Sequence, residues 1–133
     1  MSIYHIMKVS INILLLGIIG FGLMSLTLRS SPMRKDPSII EQALLNEKPL
    51  GTQMREVERW LIHEKKLVPT LSNLGFWRQD PPPSRVVGVK SIKAKLGEYL
   101  RFPFLRTSVV AYWGFNERDE LIEIWVWKTT DAP

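Results

Sequence analysis

Twenty consecutive residues, Val9 to Leu28, carry no charge, and this run constrains the chain more than any other feature. As a helix rising about 1.5 Å per residue it spans about 30 Å, the thickness of a bilayer's hydrocarbon core. Lys8 bounds it on one side and Arg29 on the other. The pattern predicts a tail over 1–8, a transmembrane signal-anchor helix over 9–28 held in membrane lipid, a polar linker over 29–36 and one small domain over 37–133. A cleavable signal has a shorter apolar stretch and small residues at the cut. The length of this run and the lack of an Ala-x-Ala site favour a retained anchor.

Two rules give opposite orientations. Arg29, Arg34 and Lys35 follow the run and only Lys8 precedes it, which by the positive-inside rule puts the domain in the cytoplasm. A short basic start before an apolar helix is also the usual entry signal for export of the chain behind it.

The net charge is +5, and much of the excess lies between Arg78 and Arg106. Such a stretch suits a solvated basic surface or contact with anionic lipid. No nucleic-acid-binding motif accompanies it, and no nucleic-acid partner is expected. There is no cysteine, which excludes disulfides, thiolate ligands, a cysteine nucleophile and lipidation at a lipobox.

Chemistry is sparse. His63-Glu64-Lys65-Lys66-Leu67 begins like a zinc-protease motif, but Leu67 stands where the second histidine must share the ligand face. No serine sits in a Gly-x-Ser-x-Gly turn, and no phosphate-binding glycine loop is present. Glu117, Asp119, Glu120 and Glu123 cluster along the chain, where alternation across an exposed turn predicts solvated carboxylates. No cofactor, metal site or enzymatic activity is expected.

Within the domain, Asp36 or Ser38 reads as a helix cap with Pro37 in the first turn, and Ile39, Ile40, Ala43 and Leu44 recur at helical spacing to about Asn46. A second helix follows Gly51, with Thr52 as N-cap and an apolar stripe of Met54, Val57, Trp60, Leu61 and Leu67, closed by Pro69. Ile62 points outward, and Glu64 lies within the stripe near the helix end. Pro81-Pro82-Pro83 predicts a stiff extended connector. Val86 to Leu96 is β-prone and broken at Gly88. Ser108–Phe115 and Leu121–Lys128, joined by Asn116–Asp119, predict a long β-hairpin. The fold class is therefore α+β, two helices on an antiparallel sheet, in two layers.

In the second hairpin strand Ile122, Ile124 and Val126 share a face apolar enough to pack on the helices, and Trp125 and Trp127 occupy the other. Grouped with Trp113 and the neighbouring Tyr112, they form an aromatic face. Left exposed, it is a partner site; covered by the segment Leu71–Arg85, it is core.

Gly51-Thr52-Gln53-Met54-Arg55-Glu56-Val57 supplies a glycine, a capping hydroxyl and a valine six residues on. With the helix–helix–meander order and the closing strands Tyr112–Phe115 and Leu121–Val126, it resembles the SmpA/OmlA-type outer-membrane assembly lipoproteins. The β-lactamase-inhibitor-protein-like fold that they share is similar too. This chain lacks their lipobox cysteine. The resemblance implies an envelope location and a non-enzymatic domain that binds protein surfaces. The expectation is a binding or scaffold module at the inner membrane with its domain in the periplasm. The alternative is a regulatory or inhibitory domain at the cytoplasmic face using a basic surface.

Overall fold

The computed structural model describes residues 32–101 and 103–131. A 3-10 turn (Pro32–Arg34) precedes helices α1 (Pro37–Glu47) and α2 (Met54–His63). Six strands follow: β1 (Thr70–Ser72), β2 (Phe76–Arg78), β3 (Arg85–Val87), β4 (Lys90–Arg101), β5 (Leu105–Phe115) and β6 (Leu121–Asp131). The tail and anchor read over 1–28 lie outside the described residues. Among the described residues no helix is long and apolar enough to cross a membrane.

Helix α1 starts where its side chains dictate. The Asp36 carboxylate accepts the Ser38 N–H at 3.3 Å, and Pro37 sits at a first-turn position that needs no amide donor. Helix α2 differs from expectation at both ends. Thr52 does not cap it; its hydroxyl donates to the Pro49 carbonyl at 2.6 Å, and Gln53 holds the cap position without a side-chain bond. The start is instead stitched to the hairpin turn by backbone. Met54 N–H donates to the Asp119 carbonyl, Gly51 N–H to Leu121, and Leu121 N–H to Thr52, at 2.8, 2.8 and 2.9 Å. At the other end the helix stops at His63, well before Pro69. Lys66 turns left-handed (φ 58°), and Leu67 N–H reaches back six residues to the Leu61 carbonyl at 2.9 Å. Leu67 thus joins the core from beyond the helix.

Four strands form an antiparallel sheet in the order β1-β4-β5-β6. The rows Ile92–Trp113–Ile124 and Ala94–Ala111–Val126 define the face that meets the helices. Ile40, Val57, Trp60 and Leu61 pack on it, and Trp60 meets Trp113 edge to face, with centroids 6.4 Å apart at 83°. Fully burying one such apolar side chain contributes roughly 1.5–3 kcal/mol. An irregularity between Gly114 and Phe115 slips the β5–β6 register, so that Phe115 pairs with Leu121 and both turn into this core. Two helices on an antiparallel sheet with a long hairpin is therefore the architecture. The finer two-layer picture is incomplete, because β2 and β3 pair into a separate ribbon on the second face. The triple proline, with cis bonds before Pro81 and between Pro82 and Pro83, is the connection inside that ribbon rather than an extended connector.

Strand β6 is an edge of the sheet, and α1 lies along it. The Val126 amide donates to Glu41 Oε2 of α1 at 2.9 Å. An edge amide that would otherwise template another strand is thereby occupied. Burial pushes the Glu41 carboxyl above its ordinary range, and the Val126 bond only partly offsets that. The sign follows from linkage. As pH rises from about 4.5 the unfolded chain ionises first, the folded protein lags, and stability falls until the folded group has titrated. Glu41→Gln keeps an acceptor without the charge, so its urea-unfolding free energy should gain on the wild type as pH rises from 4.5 towards 7. Glu41→Ala leaves the amide without an acceptor and should cost about 1 kcal/mol. A pH-independent difference between wild type and Glu41→Gln would contradict the assignment.

Candidate functional site

The register separates the four aromatic residues that the sequence grouped together. Trp113 stands opposite Ile124, on the helix side of the sheet, and is 0% exposed. Tyr112 stands opposite Trp125, on the second face, and Trp127 follows Trp125 there two residues on. Trp113 is thus core on one side and Trp125 core on the other, the latter 2% exposed beneath the ribbon. Alternation fixed the faces within each strand. Which faces coincide was set by the turn and the slip at Gly114.

The second face is a stacked aromatic cluster. Trp125 lies 6.1 Å from Phe76 of β2 with planes 10° apart, and 5.3 Å from Tyr112 at 27°. Trp127 touches Trp125 with centroids 5.0 Å apart. Gly114 makes this approach possible, since a Cβ there would stand 2.8 Å from Val87 Cγ1 and 3.0 Å from Phe76 Cε1. The ribbon is also tied down by charge. Glu123 Oε2 accepts from Arg78 and from Arg85, both at 2.7 Å, so one carboxylate clamps both ribbon strands to β6. The Arg78 guanidinium also lies 5.9 Å from the Trp125 ring.

Three of the four hairpin carboxylates, Asp119, Glu120 and Glu123, are engaged by cations or amides, and Glu117 is exposed as expected. Lys90 Nζ meets Asp119 at 2.6 Å, and Glu120 accepts from Asn116 at 3.0 Å and from Arg118 at 3.2 Å. The Asn116 bond and then the Arg118 charge hold the Glu120 carboxyl below its usual range. On β4, the Lys95 bond and charge do the same for Glu98. His63 and Glu64 are exposed at the end of α2. Among the described residues no group of three histidine, aspartate or glutamate side chains is placed to hold a metal ion.

The ribbon covers only part of the second face. At its margin, where Tyr112 still packs on Phe76 with centroids 5.4 Å apart, the row Lys95–Val110–Trp127 and the pair Lys93–Tyr112 form an aromatic patch with a basic edge, with Lys93 Nζ 5.8 Å from the Tyr112 ring. Val110, Tyr112 and Trp127 are half-buried, and the two lysines are exposed. Two features escaped the sequence reading. Trp77 and Val86 pair on the outer side of the ribbon, 56% and 57% exposed. The alternation in Phe76-Trp77-Arg78 and Arg85-Val86-Val87 carried that signal, but three-residue strands are too short for periodicity to register. The second feature is an open groove of about 500 Å³ beside α1, lined by residues from well-separated parts of the chain.

Replacing Glu123 with Gln should release both guanidinium groups and lower unfolding free energy by about 1 kcal/mol. Loosening the ribbon exposes Trp125, so tryptophan emission should move to the red. Unchanged emission and an unchanged urea midpoint would show that packing alone holds the ribbon. No family model, curated protein or solved structure matches this chain.

Proposed function

We propose that this chain is a single-pass, membrane-anchored protein of the cell envelope whose small α+β domain is a non-enzymatic binding module. The observation that carries the binding role is the half-covered part of the second face, where Tyr112, Val110 and Trp127 line up with Lys93 and Lys95. Aromatic residues at the centre of a patch supply most of the energy of protein recognition, and a charged margin sets orientation and encounter rate. An acidic protein surface bearing an apolar residue is the complement. The uncharged run Val9–Leu28 supports the anchor, and the SmpA/OmlA-type resemblance supports a periplasmic domain.

A second reading draws on the exposed Lys93, Lys95, Arg101 and Arg106 of β4 and β5. It keeps the domain at the cytoplasmic face as a regulatory or inhibitory element acting on anionic lipid or a charged partner.

The cysteine-free background makes the test direct. The full chain should sediment with membranes and resist alkaline extraction. Asn73→Cys, exposed between β1 and β2, should react with a membrane-impermeant maleimide from the periplasmic side. Labelling only after the inner membrane is opened would select the cytoplasmic reading. For the binding surface, Trp127→Ala should lower the urea midpoint, since it removes a ring packed on Trp125. In buffer without urea, where near-UV circular dichroism shows it folded, it should reduce partner cross-linking from Lys93 several-fold. Equal cross-linking in the two would remove the aromatic patch as the site.

A further inference from the structure

The groove beside α1 runs along the helix from Ser38 to Glu47, about 14 Å at the helical rise. Its lining is mostly apolar: Ile39, Ile40 and Leu44 of α1, Trp60 of α2, Leu67, and Leu96 from the irregular stretch of β4. Ile39 is 52% exposed there, and Ala43 on the next turn is also exposed. One end is closed by the Lys65–Glu47 ion pair at 2.8 Å. At the other end are Pro32, Met33 and Lys35, the point at which the chain enters the domain.

That entry point fixes what lies in front of the groove. Leu28, the last residue of the uncharged run, is four positions from Pro32. Four residues reach at most about 14 Å even when fully extended. If the run crosses a bilayer, the open end of the groove is held at the headgroup layer. The charge there is of the matching sign. Arg34 and Lys35 are exposed, and Lys128 donates to the Lys35 carbonyl. Arg34 also donates to the Leu100 carbonyl at 2.8 Å and covers the Tyr99 ring at 4.7 Å, so its guanidinium is fixed at this end. Asp36, the neighbouring acid, is engaged in capping α1. Cations at the mouth suit an anionic headgroup, and the apolar interior suits what hangs from it.

We infer that the groove takes one acyl chain of a lipid from the bilayer in which the domain is anchored. This rests on the anchored reading above. Because the chain has no cysteine, Ala43→Cys gives a single attachment point inside the groove, and Arg106→Cys one outside it, at the end of the sheet nearest the groove's mouth. Each full-length variant is labelled with bimane and placed, one chain per disc, in phosphatidylglycerol-containing nanodiscs with plain or mid-chain-brominated lipid. Quenching by the brominated lipid should be several-fold stronger at 43 than at 106. Equal quenching at both would mean that the whole end of the domain sinks into the bilayer, and would overturn the inference. So would quenching at neither in a chain that stays with the disc, an outcome that leaves the anchor intact. Shielding at 43 seen only with two chains per disc would assign the groove to a second copy instead. A chain that fails to stay with the disc would sink the anchored reading itself, and the inference with it.

Discussion

Both faces of the β5–β6 hairpin are apolar, and that one constraint arranges the rest of the domain. A sheet with one wet face needs only one covering layer, whereas a hairpin carrying Ile124 and Val126 on one side and Trp125 and Trp127 on the other needs two. The helices supply the first, through Trp60, Leu61 and Val57. The β2–β3 ribbon supplies the second, through Phe76 and Val87. The open edge of β6 is then closed by α1 and the Glu41 carboxylate. Each cover falls short of the full length of the sheet, and the aromatic patch and the groove lie where a cover stops.

Charge in this domain works mainly as fastening. Glu123 joins both strands of the ribbon to β6, Lys90 joins the start of β4 to the hairpin turn, and Lys65 joins the end of α2 to α1. Partly exposed pairs of this kind each contribute modestly to stability. Their value lies in holding particular elements in register. Two of the carboxylates singled out in the sequence, Asp119 and Glu123, are used in this way.

Much of the architecture was legible one element at a time. Asp36-Pro37 announced α1, the stripe of Val57, Trp60 and Leu61 announced the buried face of α2, and Ile62 points to solvent as its spacing required. Glu64, on the stripe by spacing, is exposed because the helix ends before it. The hairpin was legible from its β-branched and aromatic alternation and its polar turn. The helix ends of α2 were not, because its first amide is satisfied by Asp119 and its last turn is closed by a left-handed Lys66, where a lysine stands in place of the glycine or asparagine that would signal this conformation. The ribbon was hidden for a different reason. Strands of three residues around a triple proline leave no periodic signal.

The sequence by itself determined which residues are apolar, how they alternate, where the chain is greasy enough for lipid, and that thiol chemistry is excluded. Those are properties of neighbours along the chain. Tertiary structure alone decided that Trp113 belongs with the helices and Trp125 with the ribbon, because a slip at Gly114 set how one strand's faces match the other's. It also decided that Met33, Leu44, Leu67 and Leu96, far apart in sequence, line one groove. A concave surface is made by segments that meet only on folding, and no local pattern encodes it.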